Sequence, residues 1–141
     1  MDVDGVLSDA SGRQHLLAGE PKSWAAFFEA SVQDPPISEG IRLVAGLVDD
    51  RAMVLVTARP ARLADTTVAW LERNSVSWDL LVMRRDGDHR SSPEVKSEAL
   101  EGLRADGYEV QLALDDDPGN ARMYRAAGVS TVYLHSGYYD L

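Results

Sequence analysis

Asp2-Val3-Asp4-Gly5 sets two carboxylates one residue apart and follows them with a glycine turn. One carboxylate of such a pair can attack an electrophile while the other trades protons with a leaving group and then with water, a division of labour suited to phosphoryl transfer. Three later groups suit the same chemistry. Thr57 ends the apolar run 53–56 and, with nearby backbone amides, can donate to phosphate oxygens. Lys96 falls in the first turn of a helix expected to start at Pro93, where a fixed cation and a helix N-terminus favour the same anion. Asp115-Asp116-Asp117 directly follows the run 109–114. Carboxylates crowded beside a phosphate need a cation, and Mg²⁺ takes oxygen ligands, offsets their repulsion and polarises phosphoryl oxygens.

Taken singly, each group has a plainer reading. A D-x-D-G stretch is common in turns, and an aspartate triplet often makes a turn and a helix cap. A threonine at a strand end says little, and a lone lysine on a helix is usually solvated. The order D-x-D-G, apolar-Thr, helix-start Lys, apolar-Asp-Asp is what favours catalysis. A response-regulator receiver also uses Asp, Thr and Lys, but it opens on an acidic pair and keeps its reactive aspartate mid-chain.

These groups need a scaffold that gathers them. Apolar runs at 53–57, 79–83, 109–114 and 130–134 read as strands. Amphipathic stretches at 61–74, 93–105 and 118–127 read as helices, with Ser92 and Asp117 as caps and Gly128 as a stop. Strand alternating with helix predicts an α/β fold with a Rossmann-like parallel sheet covered on both faces, whose functional groups collect where strands end. Ahead of it, Trp24, Phe27, Phe28 and Val32 share one helical face, Asp34-Pro35-Pro36 breaks the chain, and 37–48 resumes a helix. The aromatic stripe reads first as core packing; substrate stacking by Trp24 or Phe28 is the alternative.

A chain of 141 residues is expected to be a single domain spanning 1–141, with no repeat, linker or low-complexity tract. It has no cysteine, which excludes disulfides, thiolate metal sites and cysteine nucleophiles. No apolar run approaches the roughly 20 residues that cross a bilayer, so the expectation is a cytoplasmic protein with no membrane partner. The net charge of −9 argues against broad binding of duplex nucleic acid, though not against contact with one strand end. Only Lys22 and Lys96 are lysines, against twelve arginines, so a lysine at a catalytic spacing carries weight.

In this order the motifs resemble the haloacid dehalogenase (HAD) superfamily over essentially the whole chain. The narrower likeness is to the 3′-phosphatase domain of polynucleotide kinase and its bacterial relatives. It is carried by Arg84-Arg85-Asp86-Gly87-Asp88-His89-Arg90, Glu94-Val95-Lys96, Leu114-Asp115-Asp116-Asp117-Pro118, Ala127-Gly128-Val129 and Ser136-Gly137, with Trp24–Phe28 and Asp34-Pro35-Pro36 upstream. The resemblance implies an Mg²⁺-dependent phosphomonoesterase working through an aspartyl-phosphate, with Asp2 as nucleophile and Asp4 as acid and base. It implies Asp2, the Asp4 carbonyl and Asp115 as metal ligands, with Asp116 close by, and Arg59 and Arg84 facing the substrate phosphate. Arg84, Arg85 and Arg90 have a plainer role open to them, offsetting nearby acids on a solvated loop. The segments flanking Thr57 leave no room for a large cap, which predicts an open site of the kind that acts on macromolecular ends or relies on oligomerisation. No G-x-x-x-x-G-K-[ST] occurs, so these residues are not expected to use ATP as a kinase.

The resemblance also calls for an apolar strand ahead of the nucleophile, where only Met1 stands. Loss of a mid-sheet strand would leave two neighbours with unmatched backbone groups, so a truncated start is the expectation. Three functions remain open at this point: a polynucleotide 3′-phosphatase, a phosphatase of nucleotides or sugar phosphates, and a non-catalytic binding module of the same fold. The arginine-rich stretch 84–90 favours the first and the net charge the second.

Overall fold

The four apolar runs form four short strands, β1 (Val54–Pro60), β2 (Leu80–Arg84), β3 (Leu112–Asp115) and β4 (Ser130–Tyr133), in a computed structural model that describes residues 1–139. The helices are α1 (Trp24–Glu29), α2 (Ser38–Leu47), α3 (Ala64–Arg73), α4 (Ser92–Ala105) and α5 (Pro118–Ala126), with 3₁₀ turns at Ala10–Leu17, Ala30–Gln33 and Ala61–Leu63. Each predicted strand and helix is present, shifted by a few residues at its ends, where caps rather than periodicity decide. The cap of α4 is Ser91, one residue earlier than expected; its side chain and Glu94 form a reciprocal capping box. Asp117 caps α5 as expected, accepting from the Gly119 amide at 2.7 Å.

The core is a small α/β arrangement of two two-stranded parallel sheets, β1–β2 and β3–β4, flanked by helices, where one continuous sheet was expected. Between the sheets lies the start of the chain. Met1 gives its terminal amine to Val54 O (2.8 Å) and accepts from the Val56 amide (2.9 Å), and the Asp2 amide reaches across to Leu114 O (2.9 Å). The expectation of unmatched neighbours therefore needs correcting in part. Two residues satisfy some backbone groups on both sides, but they are too few to make a strand. A cavity of about 360 Å³ lies beside Met1, lined by residues of β1, β3 and α4.

Two apolar clusters fill the layers. Val3, Val6, Leu7, Val44, Leu55, Trp70 and Leu71 pack in one, and Leu100, Ala113, Tyr124 and Val129 in the other. The aromatic stripe does not all go inside: Phe27 is buried, whereas Trp24 stays 49% exposed. Among the described residues no helix is long and apolar enough to cross a membrane.

Gly40, on the first turn of α2, lets that helix rest directly on the loop after Asp4, since a Cβ there would lie 1.7 Å from Val6 O. Alanine normally gains ~1 kcal/mol over glycine within a helix. Here the backbone would have to part, and Gly40→Ala is expected to cost about 2–3 kcal/mol net. In a thermal melt that is a fall of roughly 10 °C in the midpoint; a rise would show that the contact is not tight.

Candidate active site

Asp2, at the start of the chain, stands beside the end of β3, because its amide pairs with Leu114, the residue before Asp115. Lys96 enters from the first turns of α4 and closes the gap. Its Nζ lies 2.7 Å from Asp115 Oδ2 and 3.0 Å from Asp2 Oδ1, and it is almost fully buried. Asp116 completes the group: oxygens of Asp2, Asp115 and Asp116 all lie within 4.8 Å of one another.

Fully ionised, three carboxylates against one ammonium would leave this cluster two positive charges short. The strain shows in the titration of its members. Burial drives Asp2 well above the usual carboxylate range despite Lys96 beside it. Burial likewise pushes Asp116 up to about 7, with the charge of Asp115 adding to it. Lys96 goes the other way: burial alone would lower its pKa, but Asp2 and Asp115 hold it well above the ordinary lysine value. Both carboxylate oxygens of Asp116 are buried with no well-aligned hydrogen-bond partner among the described residues, although the Ser136 hydroxyl favours the ionised form. Orphaned buried oxygens with a deficit of two charges fit a divalent metal, and a hard-oxygen donor set suits the alkaline-earth class. Asp2, Asp115 and Asp116 are the side chains that would hold it.

Gly5 makes the approach possible. Its φ is +79°, and a Cβ on it would lie 2.0 Å from Asp116 Oδ2. Asp115 is fixed from its other side, with Oδ1 accepting from the Asp117 amide and from Asn120 Nδ2, each at 3.0 Å.

Asp4 belongs to a second cluster, and its side chain is not among the clustered metal-type oxygens. Arg59 reaches it through Nη2 at 2.7 Å, and Arg13 Nη2 makes a short contact to the same oxygen. Arg13 also binds Asp34 through Nε (3.0 Å) and Nη2 (2.7 Å), while Ser8 Oγ donates to Asp34 at 2.6 Å. Two guanidiniums face two carboxylates, so this cluster is neutral, and of the four only Asp4 keeps part of its side chain exposed. Burial would raise the pKa of Asp4, but Arg59 and Arg13 outweigh it and keep it below the usual range.

Arg59, expected to face a substrate phosphate, is buried and spends its donors on Asp4, Ser8 and Thr67. It reaches Asp4 because the β1–β2 register breaks after Thr57 and resumes at Pro60, a bulge that re-aims the strand beside the site. Thr57 is buried and accepts from the Arg59 amide at 3.2 Å. Arg84 holds the loop after β2, donating to the carbonyls of Ala58, Asp88 and Arg90. Arg85 and Arg90 pair with Glu98, and Arg90 also with Asp88, which matches the plainer role open to those two. Arg13, Asp34 and Asn120 were not singled out in the sequence.

Asp2 and Asp4 open onto a cleft of about 1000 Å³, whose walls include Lys22, Trp24, Arg62, Arg84 and Arg90. Asp86, Asp88 and Asp117 line the same cleft, so its walls carry both signs of charge.

The phosphatase-domain family described as polynucleotide kinase PNKP, within the HAD group, matches residues 1–139. Among curated proteins, “Putative nucleotidase YqfW” of Bacillus subtilis (strain 168) is 26% identical over 96 residues, covering 67% of this chain and 44% of that protein. A chain in a solved Pnkp1/Rnl/Hen1 complex superposes with a TM-score of 0.74 at 22% identity, covering 94% of this chain and 43% of its own length. A second, from the Pnkp1/Rnl/Hen1 RNA repair complex, gives 0.71 at 22%, covering 94% and 40%. The chain spans less than half the length of each of these proteins.

Proposed function

The chain belongs to the polynucleotide kinase PNKP phosphatase family of the HAD superfamily, and from that premise we propose that it is a Mg²⁺-dependent phosphomonoesterase acting on nucleic-acid 3′-phosphate ends. The observation that carries this reading is the buried group Asp2, Asp115 and Asp116, of which Asp2 opens on a cleft lined by both arginines and aspartates. HAD-family phosphatase activity follows from the family and the aspartate cluster together; the metal, the intermediate and the substrate are the proposal. The finer fold reading goes with it. Met1 and Asp2 stand as the short centre of one Rossmann-like sheet, ordered β2, β1, Met1–Asp2, β3, β4, with a minimal cap.

In this reading an Asp2 oxygen forms a bond to phosphorus as the bond to the leaving alcohol oxygen breaks, and Asp4 gives that oxygen its proton. Asp4 then takes a proton from water, whose oxygen bonds to phosphorus as the acyl-phosphate bond breaks, releasing inorganic phosphate and restoring Asp2. Lys96 and Thr57 donate to the phosphoryl oxygens. Mg²⁺, held by Asp2, Asp115, Asp116 and the Asp4 carbonyl, would offset the carboxylate charge and polarise the phosphoryl group. The resting network adds one requirement. Asp4 is kept ionised by two guanidiniums, so it becomes an acid only when an arriving phosphate draws Arg13 or Arg59 toward itself.

A phosphatase of mononucleotides is the second reading, favoured by the net charge of −9 and by the nucleotidase relative. Competition between a 3′-phosphorylated oligonucleotide and 3′-mononucleotides, in Mg²⁺ at a fixed salt concentration, separates the two. The first reading expects kcat/KM at least ~10-fold higher for the oligonucleotide at low salt, with the preference shrinking as salt rises. Equal or reversed preference moves the assignment to the nucleotidase class.

A further inference from the structure

The aromatic wall of the cleft has a construction of its own. Trp24 stands 49% exposed at the cleft that holds Asp2 and Asp4. Its ring stacks on Phe28, with centroids 5.9 Å apart and planes 27° from parallel, and Phe27 meets both edge-on at 5.8 Å and 5.4 Å. Phe27 is buried and carries the guanidinium of Arg13 4.2 Å from its ring centroid, while its carbonyl accepts from Arg13 Nη1. The outer indole thus rests on a pile whose base is the arginine that clamps Asp4. A surface aromatic held this way loses little further freedom when something stacks on it. The Lys22 ammonium lies over the Trp24 ring, 5.9 Å from its centroid, on an exposed, flexible side chain that an arriving base would displace toward a neighbouring phosphate.

Resting on the phosphatase reading above, we propose that Trp24, backed by Phe28, is the specificity-determining platform on which the base of the substrate's terminal nucleotide stacks. An aromatic face beside a cation, in the same cleft as the reacting acids, is matched by an ester whose alcohol carries a flat ring and a second phosphate. A sugar phosphate offers no flat aromatic ring to that face. Core packing, the first reading of this stripe, accounts for Phe27 alone.

The test compares two 3′-phosphorylated oligonucleotides, identical except that one lacks its terminal base. In wild type kcat/KM is expected to be about tenfold higher for the base-bearing substrate, the difference lying in KM. Trp24→Ala should bring that ratio close to one, and Trp24→Phe should restore most of it. A purely structural role for Trp24 would lower both substrates together and leave the ratio where it was, which overturns the proposal. A second readout needs neither turnover nor metal. Titrating the base-bearing oligonucleotide in EDTA should quench indole fluorescence in wild type and not in Trp24→Ala, with Trp70 and Trp78 as the unquenched background. Equal quenching in the two proteins overturns the platform. Absence of turnover on every ester in wild type defeats the phosphatase reading instead, and the quenching still judges the platform.

Discussion

Asp2→Asn is expected to lower turnover of any phosphoester by at least ~10⁴-fold while leaving the protein folded, and at neutral pH at least as stable as wild type. The two halves have one cause. Asp2 is buried beside two other carboxylates, and its pKa is held well above the ordinary value chiefly by desolvation. A carboxyl group raised in the folded state supports the fold below the usual carboxylate range, and that support is lost as pH rises through the folded value. An asparagine of the same shape carries no charge to desolvate, so the variant avoids the loss at neutral and alkaline pH. It gives up the 3.0 Å contact to Lys96, but Lys96 keeps Asp115 at 2.7 Å. Activity falls because the amide neither attacks phosphorus nor contributes a charge to the metal. Thermal melts at pH 8 beside turnover of an aryl phosphate in Mg²⁺ check both halves. Retained turnover removes Asp2 from the chemistry; lost turnover with a collapsed melt makes its role structural.

How much of this was legible beforehand depends on the range of the contact. Strands and helices were visible because their signals are local: apolar runs for β1 to β4, Pro93 and Pro118 near helix starts, Asp117 as a cap. The meeting of Asp2, Lys96 and Asp115 was legible too, since a parallel sheet brings strand ends to one edge whatever lies between them. The second cluster was not. Arg13 sits in a 3₁₀ turn with no periodicity to mark it, and its partner Asp34 reads as part of a chain break before two prolines. An arginine and an aspartate 21 residues apart carry no local sign that they will pair. Arg59 was noticed for a phosphate and is found on Asp4 because a bulge in β1 re-aims it, and two extra residues in a strand leave no trace in hydrophobic patterning. Trp24 was grouped with Phe27 by spacing on a helix, but α1 is only six residues long and covers the core with one of its aromatic rings.

Lys96→Met should separate what the lysine does for the fold from what it does for the reaction. The substitution keeps most of the volume and removes the ammonium shared by Asp2 and Asp115. Breaking a buried pair and leaving the acids uncompensated costs about 3–5 kcal/mol. Without metal the melting midpoint should therefore fall by roughly 10–20 °C. The loss should depend on pH. Asp116 is already pushed up to about 7 in the presence of Lys96, and removing the lysine raises Asp2 and Asp116 further. Below that range Asp2 and Asp116 are protonated and the missing cation matters little; as pH rises through it they ionise without a counter-charge. The deficit is thus expected to be small near pH 5 and widest above 7. A divalent ion supplies the absent charge, so Mg²⁺ should raise the midpoint more in the variant than in wild type, in proportion to its tighter binding. Turnover should not follow. Lys96 is also the cation nearest the place where phosphoryl charge develops, and a drop of about 10³-fold is expected to persist at saturating Mg²⁺. Melts between pH 5 and 8 with and without Mg²⁺, set beside kcat, decide the matter. Recovery of both stability and rate on adding metal would mean that the lysine is only a counter-ion, and the phosphate would have to be held by something else.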